Sequence, residues 1–395
     1  MPRLRRFIVC ALVLFCGMVL AQGPTSKEVK AHDALVYSLA FSPDGKVLAS
    51  GGFDNLIKLW AYDPEKRELK EKAKLAGHTG QVYCVAFNKN GDQLASSSLD
   101  KTIRLWNPAD GKMVKEMKGH GDIVDNIAFS PDGKLLASSS ADKSVRLWNP
   151  AEGKEVKNLG SHAKSVYCVG FSPDGKLLAS AGADNLIKLY DVAAQKEARQ
   201  LKGHTEGVTG IVFTPDSKKL VSISQDRTVR VWDVETGKEV KQLGPEVKIK
   251  EEVKPKEEKK KEEKPKDKKD EKKDKPKDEK KDKPKDDKKD KPKDEKKKEE
   301  KKGDMKAAAP VYIERMGIGP NEDDLYGIAV SRDGKWLATS GYAGWVKVWP
   351  IDGGKPAFAQ KLKAFGAYCV VFAPDGKAVL TGHDNHNIYI TPLGK

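Results

Sequence analysis

The sequence predicts an all-β protein assembled from repeated four-stranded antiparallel units. An aspartate recurs at nearly constant spacing, first after 46 residues and then three times after 42, at Asp54, Asp100, Asp142, Asp184 and Asp226. The segments around these aspartates hold short runs of β-branched and aromatic residues with near-alternating polarity, which is typical of strands. One such unit is too small to bury both of its faces, so neighbouring units must stack against each other.

The chain begins with a candidate signal peptide. Arg3, Arg5 and Arg6 precede an apolar run at 7–20, and the small residue Ala21 follows it, which is the pattern of a secretory signal. The run falls short of the ~20 apolar residues of a membrane span. We therefore expect residues 1–21 to direct export to the periplasm or the exterior, with no transmembrane span left after their removal. An uncleaved signal that anchors the protein in the membrane is the alternative.

Two tight turns are expected in each repeat. Pro-Asp-Gly separates the first two runs, as at 43–45 and 131–133. Proline presets φ, aspartate caps the turn locally and glycine accepts a positive φ. A second turn follows the recurring aspartate, and a third and a fourth run complete the unit.

The repeats resemble the WD-repeat β-propeller family. A Gly-His pair opens the segment in Gly77-His78, Gly119-His120 and Gly203-His204, and an aromatic residue closes it at Trp60, Trp106, Trp148, Tyr190 and Trp232. Two weaker copies occupy 325–349 and 367–391, which raises the count from five to seven. The resemblance covers nearly all of 27–244 and 310–395, and it implies a seven-bladed β-propeller of four-stranded antiparallel blades.

The domain organisation follows from the repeats. Blades one to five are expected in 26–244, a charged low-complexity linker in 245–309, and blades six and seven in 310–395. The last repeat has no run for an outer strand, and we expect residues 26–31 to supply it. This arrangement would close the ring and remove two unpaired sheet edges. For the outer strand of blade five we favour 239–243 over 311–316.

The linker carries nearly half of the chain's net charge of +15. Residues 250–302 hold 27 Lys, 20 Asp or Glu, five Pro and one apolar residue, Val253. Such a segment cannot bury enough apolar surface to become ordered, so a disordered Lys/Asp/Glu/Pro-rich insertion after blade five is expected. It serves either as a solvated spacer or as an arm that contacts an anionic surface. Apart from this tract and Arg3, Arg5 and Arg6, the chain is close to charge balance, at about +5, and no sequence-specific nucleic-acid binding is expected.

The histidines raise the question of catalysis. In the family that the repeats resemble, the histidine four residues before each inner strand joins Ser, Asp and Trp in a buried tetrad. Here the sets are His32-Ser50-Asp54-Trp60 and its counterparts from His78, His120 and His204, and Tyr190 closes the set of His162. Ser, His and Asp also form hydrolase triads, but four repeated copies favour a structural role. We therefore expect no enzymatic activity.

No metal or other cofactor is expected either. His383, Asp384 and His386 are suitable zinc ligands, but they share one turn and no distant fourth ligand is evident. We interpret Asp384 as the turn aspartate of the last repeat. Cys84, Cys168 and Cys369 occupy equivalent positions in non-adjacent blades, too far apart for disulfides, and are expected to be free thiols.

A candidate binding face lies at the start of the inner strands. The residue after the first apolar residue of each inner strand defines a set that we name the collar: Tyr37, Tyr83, Asp125, Tyr167, Thr209, Tyr326 and Tyr368. The residue before each turn aspartate defines a second set, the rim: Phe53, Leu99, Ala141, Ala183, Gln225, Tyr342 and His383. The resemblance implies a strand bulge at the collar position, and acidic Asp324 is expected beside it.

The predicted function is that of a non-catalytic scaffold, exported from the cell, that binds a protein partner through this face. The predicted contact residues are Tyr37, Phe53, Tyr83, Leu99, Asp125, Tyr167, Asp324, Tyr326, Tyr342, Tyr368 and His383. Five of the ten tyrosines in the chain belong to the collar, and tyrosine suits interfaces. Common ancestry of the repeats is the other explanation for these tyrosines. Tethering to an envelope or polymer through the Lys-rich tract, or hydrolysis in a propeller pocket, are the alternative functions.

Overall fold

The computed structural model describes residues 25–243, 324–353, 356–362 and 366–394. These residues form 28 strands in seven four-stranded antiparallel sheets, which confirms the predicted seven-bladed propeller. The candidate signal peptide, the charged linker and the run at 311–316 lie outside the described residues.

Five blades follow one another along the first part of the chain. Their strands are β2 (Val36–Phe41), β3 (Val47–Gly52), β4 (Ile57–Asp63) and β5 (Glu68–Leu75); β6 (Val82–Phe87), β7 (Leu94–Ser98), β8 (Thr102–Trp106) and β9 (Met113–Lys118); β10 (Val124–Phe129), β11 (Leu136–Ser140), β12 (Ser144–Asn149) and β13 (Lys154–Ser161); β14 (Val166–Phe171), β15 (Leu177–Gly182), β16 (Ile187–Asp191) and β17 (Lys196–Leu201); β18 (Val208–Phe213), β19 (Lys219–Ser224), β20 (Val229–Asp233) and β21 (Glu239–Leu243).

The last two blades complete the ring together with the N-terminal strand. Blade six contains β22 (Leu325–Val330), β23 (Trp336–Gly341), β24 (Trp345–Pro350) and β25 (Phe358–Lys361), and blade seven contains β26 (Ala367–Phe372), β27 (Ala378–His383), β28 (Asn387–Pro392) and β1 (Lys27–Lys30). The first strand of every blade contacts the first strands of both neighbouring blades, including β26 with β2. The ring is therefore closed.

The hydrophobic core lies between blades rather than within them. One cluster joins Ala49 and Leu59 of blade one to Val82, Leu94 and Trp106 of blade two, and all five side chains are buried. Each fully buried Val or Leu contributes about 1.5–3 kcal/mol relative to its exposed state. Because the same packing recurs around the ring, each blade is stabilised chiefly by its neighbours.

The Pro-Asp-Gly turns also contribute contacts between blades. Asp44 accepts hydrogen bonds from the Ser42 hydroxyl at 2.6 Å and from the Lys46 amide at 3.1 Å, which closes the turn locally. Gly45 has φ of 73°, and a Cβ there would lie 2.6 Å from Pro374 of blade seven. Glycine is required at this position by both the backbone conformation and the neighbouring blade.

Blade seven is composed of segments from both ends of the described chain. Strand β1 pairs antiparallel with β28, with Val29 opposite Ile388, and Val29 packs against the core cluster shared by blades seven and one. The amides of Ala31 and His32 donate to the His386 carbonyl at 3.0 and 3.1 Å. Blade five takes its outer strand, β21, from 239–243. The described residues include no helix with the length and hydrophobicity that a membrane span requires.

Removal of β1 should destabilise the whole ring. A variant that begins at residue 32 loses the β1–β28 hydrogen bonds and the burial of Val29, so we expect a loss of at least about 2 kcal/mol in the free energy of unfolding. It should also associate at high concentration, since β28 becomes an unpaired edge. Calorimetry and size-exclusion chromatography, compared with a variant that begins at residue 25, test this. An unchanged melting temperature would show that β1 is dispensable.

Candidate functional site

The Ser, His and Asp sets are buried structural tetrads. In blade three, His120 Nδ1 lies 2.9 Å from Asp142 and His120 Nε2 lies 2.7 Å from Ser138 Oγ, while Trp148 Nε1 donates to the same Oγ at 2.8 Å. The lowered pKa of His120 favours a neutral imidazole. With its proton on Nδ1, this ring donates to Asp142 and accepts at Nε2 from Ser138, which itself accepts from Trp148.

The same geometry recurs around the ring. The predicted tetrads of His32, His78 and His204 show the same three contacts, and in blade four the Tyr190 hydroxyl lies 3.4 Å from Ser180 Oγ. The five serines are completely buried: Ser50, Ser96, Ser138, Ser180 and Ser222. A serine that solvent cannot reach, with its hydroxyl engaged on both sides, does not act as a nucleophile, so these sets are not hydrolase triads.

The tetrad of blade three shifts the pKa values of its carboxyl group and its imidazole in the same direction. Burial alone would raise the pKa of Asp142, but hydrogen bonds from Ser144, from the Gly121 amide and from His120 lower that pKa well below its ordinary value of 3.8. Burial lowers the pKa of His120 below its ordinary value of 6.5, although Asp142 opposes this change. Blade three therefore favours an ionised aspartate and a neutral histidine in the pair of Asp142 and His120.

Blade seven departs from the predicted alignment by one residue. Asn385, not Asp384, is the turn residue of this blade, because it lies four residues after Thr381 just as Asp54 lies four residues after Ser50. The next residue has a positive φ in both turns, 72° at His386 and 68° at Asn55. The interpretation of Asp384 as the turn aspartate is therefore wrong.

His383 does not lie on the rim. Its side chain is fully buried, its Nε2 lies 2.7 Å from Thr381 Oγ1, and its ring meets Tyr389 edge to face at 4.7 Å. The expectation that His383 is a surface contact residue is wrong, because the one-residue difference in register turns its side chain into the blade. It contacts the hydroxyl at the tetrad-serine position, as the histidines of the first five blades do.

Asp384 takes the rim position of blade seven instead. Its amide donates to the Gly366 carbonyl at 3.3 Å, as the Phe53 amide donates to the Leu35 carbonyl at 2.9 Å. Burial raises the pKa of its carboxyl group. Alignment of the two turns by their spacing from Thr381 and Ser50 would have identified this residue from the sequence.

The structure places the candidate zinc ligands and three of the cysteines. Within the described ranges, no three His, Cys, Asp or Glu side chains are arranged to hold a metal ion. Cys84 and Cys168 are buried free thiols, and Cys369 is a partly buried one. Burial raises the pKa of Cys369 to about 12, which makes it a poor nucleophile.

A β-bulge occurs at the collar position of every blade. In blade one, Val36 pairs with Gly52 and Ser38 pairs with Gly51, so Tyr37 has no partner in the ladder. The corresponding register shifts occur at Tyr83, Asp125, Tyr167, Thr209, Tyr326 and Tyr368. A bulge redirects the side chain of its extra residue, and in four neighbouring blades the collar rings lie against one another.

Four collar tyrosines form a continuous aromatic arc across blades six, seven, one and two. The ring centroids of Tyr326 and Tyr368 are 5.3 Å apart, those of Tyr368 and Tyr37 are 5.9 Å apart, and those of Tyr37 and Tyr83 are 5.1 Å apart. Phe53 from the rim stacks on Tyr37 at 5.2 Å. All five residues are partly exposed, and their rings pack against one another.

The remaining predicted residues differ in exposure. Tyr342 is 56% exposed and Leu99 is 39% exposed, and both lie on the rim. Tyr167 lies beside Gly207 of blade five, where a Cβ would come within 3.4 Å of its ring. Asp324 is mostly buried, with its carboxylate 3.8 Å from Arg227 Nε, so it links blades six and five.

Asp125 continues the collar after Tyr83 but has a different environment. Its Oδ2 is buried and has no hydrogen-bond partner in the described part of the chain. Burial and the nearby charge of Asp122 raise the pKa of this carboxyl well above its ordinary value. The collar thus combines an aromatic arc with one acidic position.

Comparison with family models agrees with this architecture. Residues 82–250 match a model described as the echinoderm microtubule-associated protein second beta-propeller, and residues 23–61 and 316–350 match the WD domain, G-beta repeat. Together with the seven-bladed ring, these matches show that the chain belongs to the WD-repeat propeller family. Propellers of this family commonly serve as protein-interaction scaffolds and are generally not enzymes.

Truncation of a tetrad tryptophan should be severely destabilising. Trp148→Ala removes a fully buried indole and its hydrogen bond to Ser138, so we expect a loss of roughly 3–5 kcal/mol in the free energy of unfolding. Trp336→Ala is the matched control, because Trp336 is 37% exposed and should cost about 1 kcal/mol or less. Urea denaturation of both variants measures the difference, and equal losses would contradict the assigned role.

Acid should destabilise the ring in two stages. His120 and His162 have folded-state pKa values below the ordinary 6.5, so the unfolded chain binds more protons and stability falls as the pH drops below that value. Asp100, Asp142 and Asp226 have folded-state pKa values below 3.8, which adds a steeper loss below about pH 4. Melting temperatures measured across this range test the profile. A His120→Gln, His162→Gln double variant should flatten the first stage, and an unaltered slope there would contradict the explanation.

Proposed function

We propose that this protein is a non-catalytic scaffold that binds a protein partner through the face formed by the collar and the rim. The observation that carries the proposal is the continuous, partly exposed aromatic arc of Tyr326, Tyr368, Tyr37 and Tyr83. Tyrosine offers a large apolar ring, a hydrogen-bonding tip and few rotamers to freeze on binding. The exposed side chains of Leu99 and Tyr342 extend the surface outward.

Common ancestry alone accounts poorly for the arc. Blades six and seven have lost tetrad residues, since Ala343 stands at the aspartate position and Thr391 at the tryptophan position. Nevertheless both blades retain a collar tyrosine, Tyr326 and Tyr368. In these two blades the tetrad residues have changed while the collar tyrosines have not, which supports a binding role.

Export and tethering complete the proposal. The N-terminal segment 1–21 supports delivery to the periplasm or the exterior, where the propeller would meet its partner. The tract at 250–302 carries a net charge of +7, from 27 Lys against 20 Asp or Glu, and this excess supports tethering to an anionic surface as a second candidate function. Contacts of that kind depend on salt.

A triple substitution in the collar should abolish partner binding without unfolding the ring. We expect Tyr83→Ala, Tyr167→Ala and Tyr326→Ala together to lose the partner, with each anchor contributing on the order of 1–3 kcal/mol. Capture from the exported fraction with the wild-type chain and the variant, followed by mass spectrometry, measures the loss. The matched control carries Val114→Ala, Val156→Ala and Val240→Ala, which remove exposed apolar side chains from outer strands.

The outcomes separate the two candidate functions. Full binding by a folded collar variant would refute the collar proposal. Salt-sensitive capture that disappears on deletion of 250–302 but survives the collar substitutions would favour tethering through the tract. Circular dichroism and the melting temperature establish that each variant is folded.

A further inference from the structure

Asp384 is the charged residue of the rim. The rim residues of the other six blades are all uncharged: Phe53, Leu99, Ala141, Ala183, Gln225 and Tyr342. In blade one, the rim residue Phe53 stacks on Tyr37, the collar residue of the same blade, at 5.2 Å. Blade seven thus has a carboxylate at the position where blade one has an aromatic ring.

The carboxylate of Asp384 adjoins the ring of Tyr368, the collar residue of its own blade. A Cβ added to Gly366 would lie 2.6 Å from Cε2 of Tyr368 and 3.1 Å from Asp384 Oδ2, so both groups border the same point of the backbone. The Asp384 amide donates to the Gly366 carbonyl at 3.3 Å, which holds this turn beside the collar. Tyr368 itself lies between Tyr326 and Tyr37, at ring-centroid distances of 5.3 and 5.9 Å. Asp384 therefore lies beside the middle of the aromatic arc.

The carboxylate is accessible and has no ion-pair partner among the described residues. Asp384 is partly exposed, and neither of its oxygens is one of the buried, unpartnered atoms of the described chain, in contrast to Asp125 Oδ2. The groups that favour its charged form are the amides of Asn385 and of Asp384 itself and the imidazole of His386, which forms no ion pair with it. A cationic ligand can therefore reach this carboxylate without displacing an existing ion pair.

An accessible acid beside aromatic rings has the composition of a cation site. The faces of aromatic rings attract cations, and one carboxylate accepts from two N–H groups of a guanidinium at once. The planar guanidinium also stacks on aromatic rings and is more weakly hydrated than an ammonium group. Arginine therefore matches this combination of groups better than lysine does.

We propose that Asp384 and Tyr368 receive an arginine side chain of the protein partner. This inference rests on the proposed function and specifies the chemistry of one anchor. The guanidinium pairs with the Asp384 carboxylate, and its plane packs against the Tyr368 ring. Charge complementarity favours this occupant over an apolar one, because an apolar group would cover the carboxylate and leave it without a partner.

Three small probes and variants of the full-length protein test the site. Acetyl-Gly-Arg-Gly-amide carries the guanidinium, acetyl-Gly-citrulline-Gly-amide is its neutral isostere, and acetyl-Gly-Lys-Gly-amide carries an ammonium group. In ligand-observed NMR titrations the arginine probe should bind about tenfold tighter than the citrulline probe, since charge-assisted hydrogen bonds are stronger than neutral ones, and tighter than the lysine probe. Asp384→Asn should abolish the preference over citrulline, whereas Asp122→Asn should retain it, because Asp122 is an exposed acid of blade three.

The aromatic part of the site has a separate test. Tyr368→Leu removes the ring but leaves the carboxylate, so it should weaken binding of the arginine probe severalfold. The matched control is Tyr83→Leu at the end of the arc, which should leave the affinity unchanged. Equal affinities of these two variants would contradict packing of the guanidinium on Tyr368.

Four results would overturn the arginine site: equal binding of the arginine and citrulline probes, no binding at millimolar concentration, tighter binding of the lysine probe, or a preference that survives Asp384→Asn. These results leave the collar proposal intact if the Tyr83, Tyr167 and Tyr326 triple variant still loses its partner. If that variant retains its partner, the collar proposal itself is wrong, whichever probe binds. The melting temperature of each variant shows that lost binding does not come from unfolding.

Discussion

Face-to-face packing of neighbouring blades is the interaction on which the rest of this structure depends. A four-stranded sheet has two faces and little volume of its own, and the buried side chains are shared between adjacent blades, as in the cluster of Leu59, Val82 and Trp106. An open row of blades would leave two faces exposed. The ring avoids this, since β26 contacts β2 and strand β1 completes the last sheet.

The tetrads add polar specificity to this apolar packing. They hold the loop before each inner strand against the turn that follows the second strand, through the contacts of His with Asp and Ser. A buried polar network stabilises a fold when every member is satisfied, and the donor sequence from Trp148 through Ser138 and His120 to Asp142 meets that condition. Blade seven reaches a related solution with His383, whose imidazole contacts Thr381 from within the strand.

Structural and interacting residues are separated along each blade. The tetrad and the interface core are buried, whereas the bulge at the start of the inner strand directs one residue per blade toward its neighbours on one face. Because that residue has no partner in the ladder, it can vary without loss of the sheet, as Tyr37, Asp125 and Thr209 illustrate. The fold therefore tolerates an asymmetric collar, with aromatic rings on one side and an acid next to them.

The sequence by itself determined the repeat, the number of blades, the tetrads and the positions of the collar, because each depends on short-range spacing that is repeated along the chain. The interpretation of Asp384 as the turn aspartate led to the wrong rim residue in blade seven, whereas the spacing of the turn from Thr381 identifies the right one. Only the tertiary structure decided which collar rings touch, that His383 is buried, that Asp324 meets Arg227 and that Asp125 Oδ2 has no partner. These features depend on contacts between residues of different blades, whose distances are set by closure of the ring and not by spacing within one repeat.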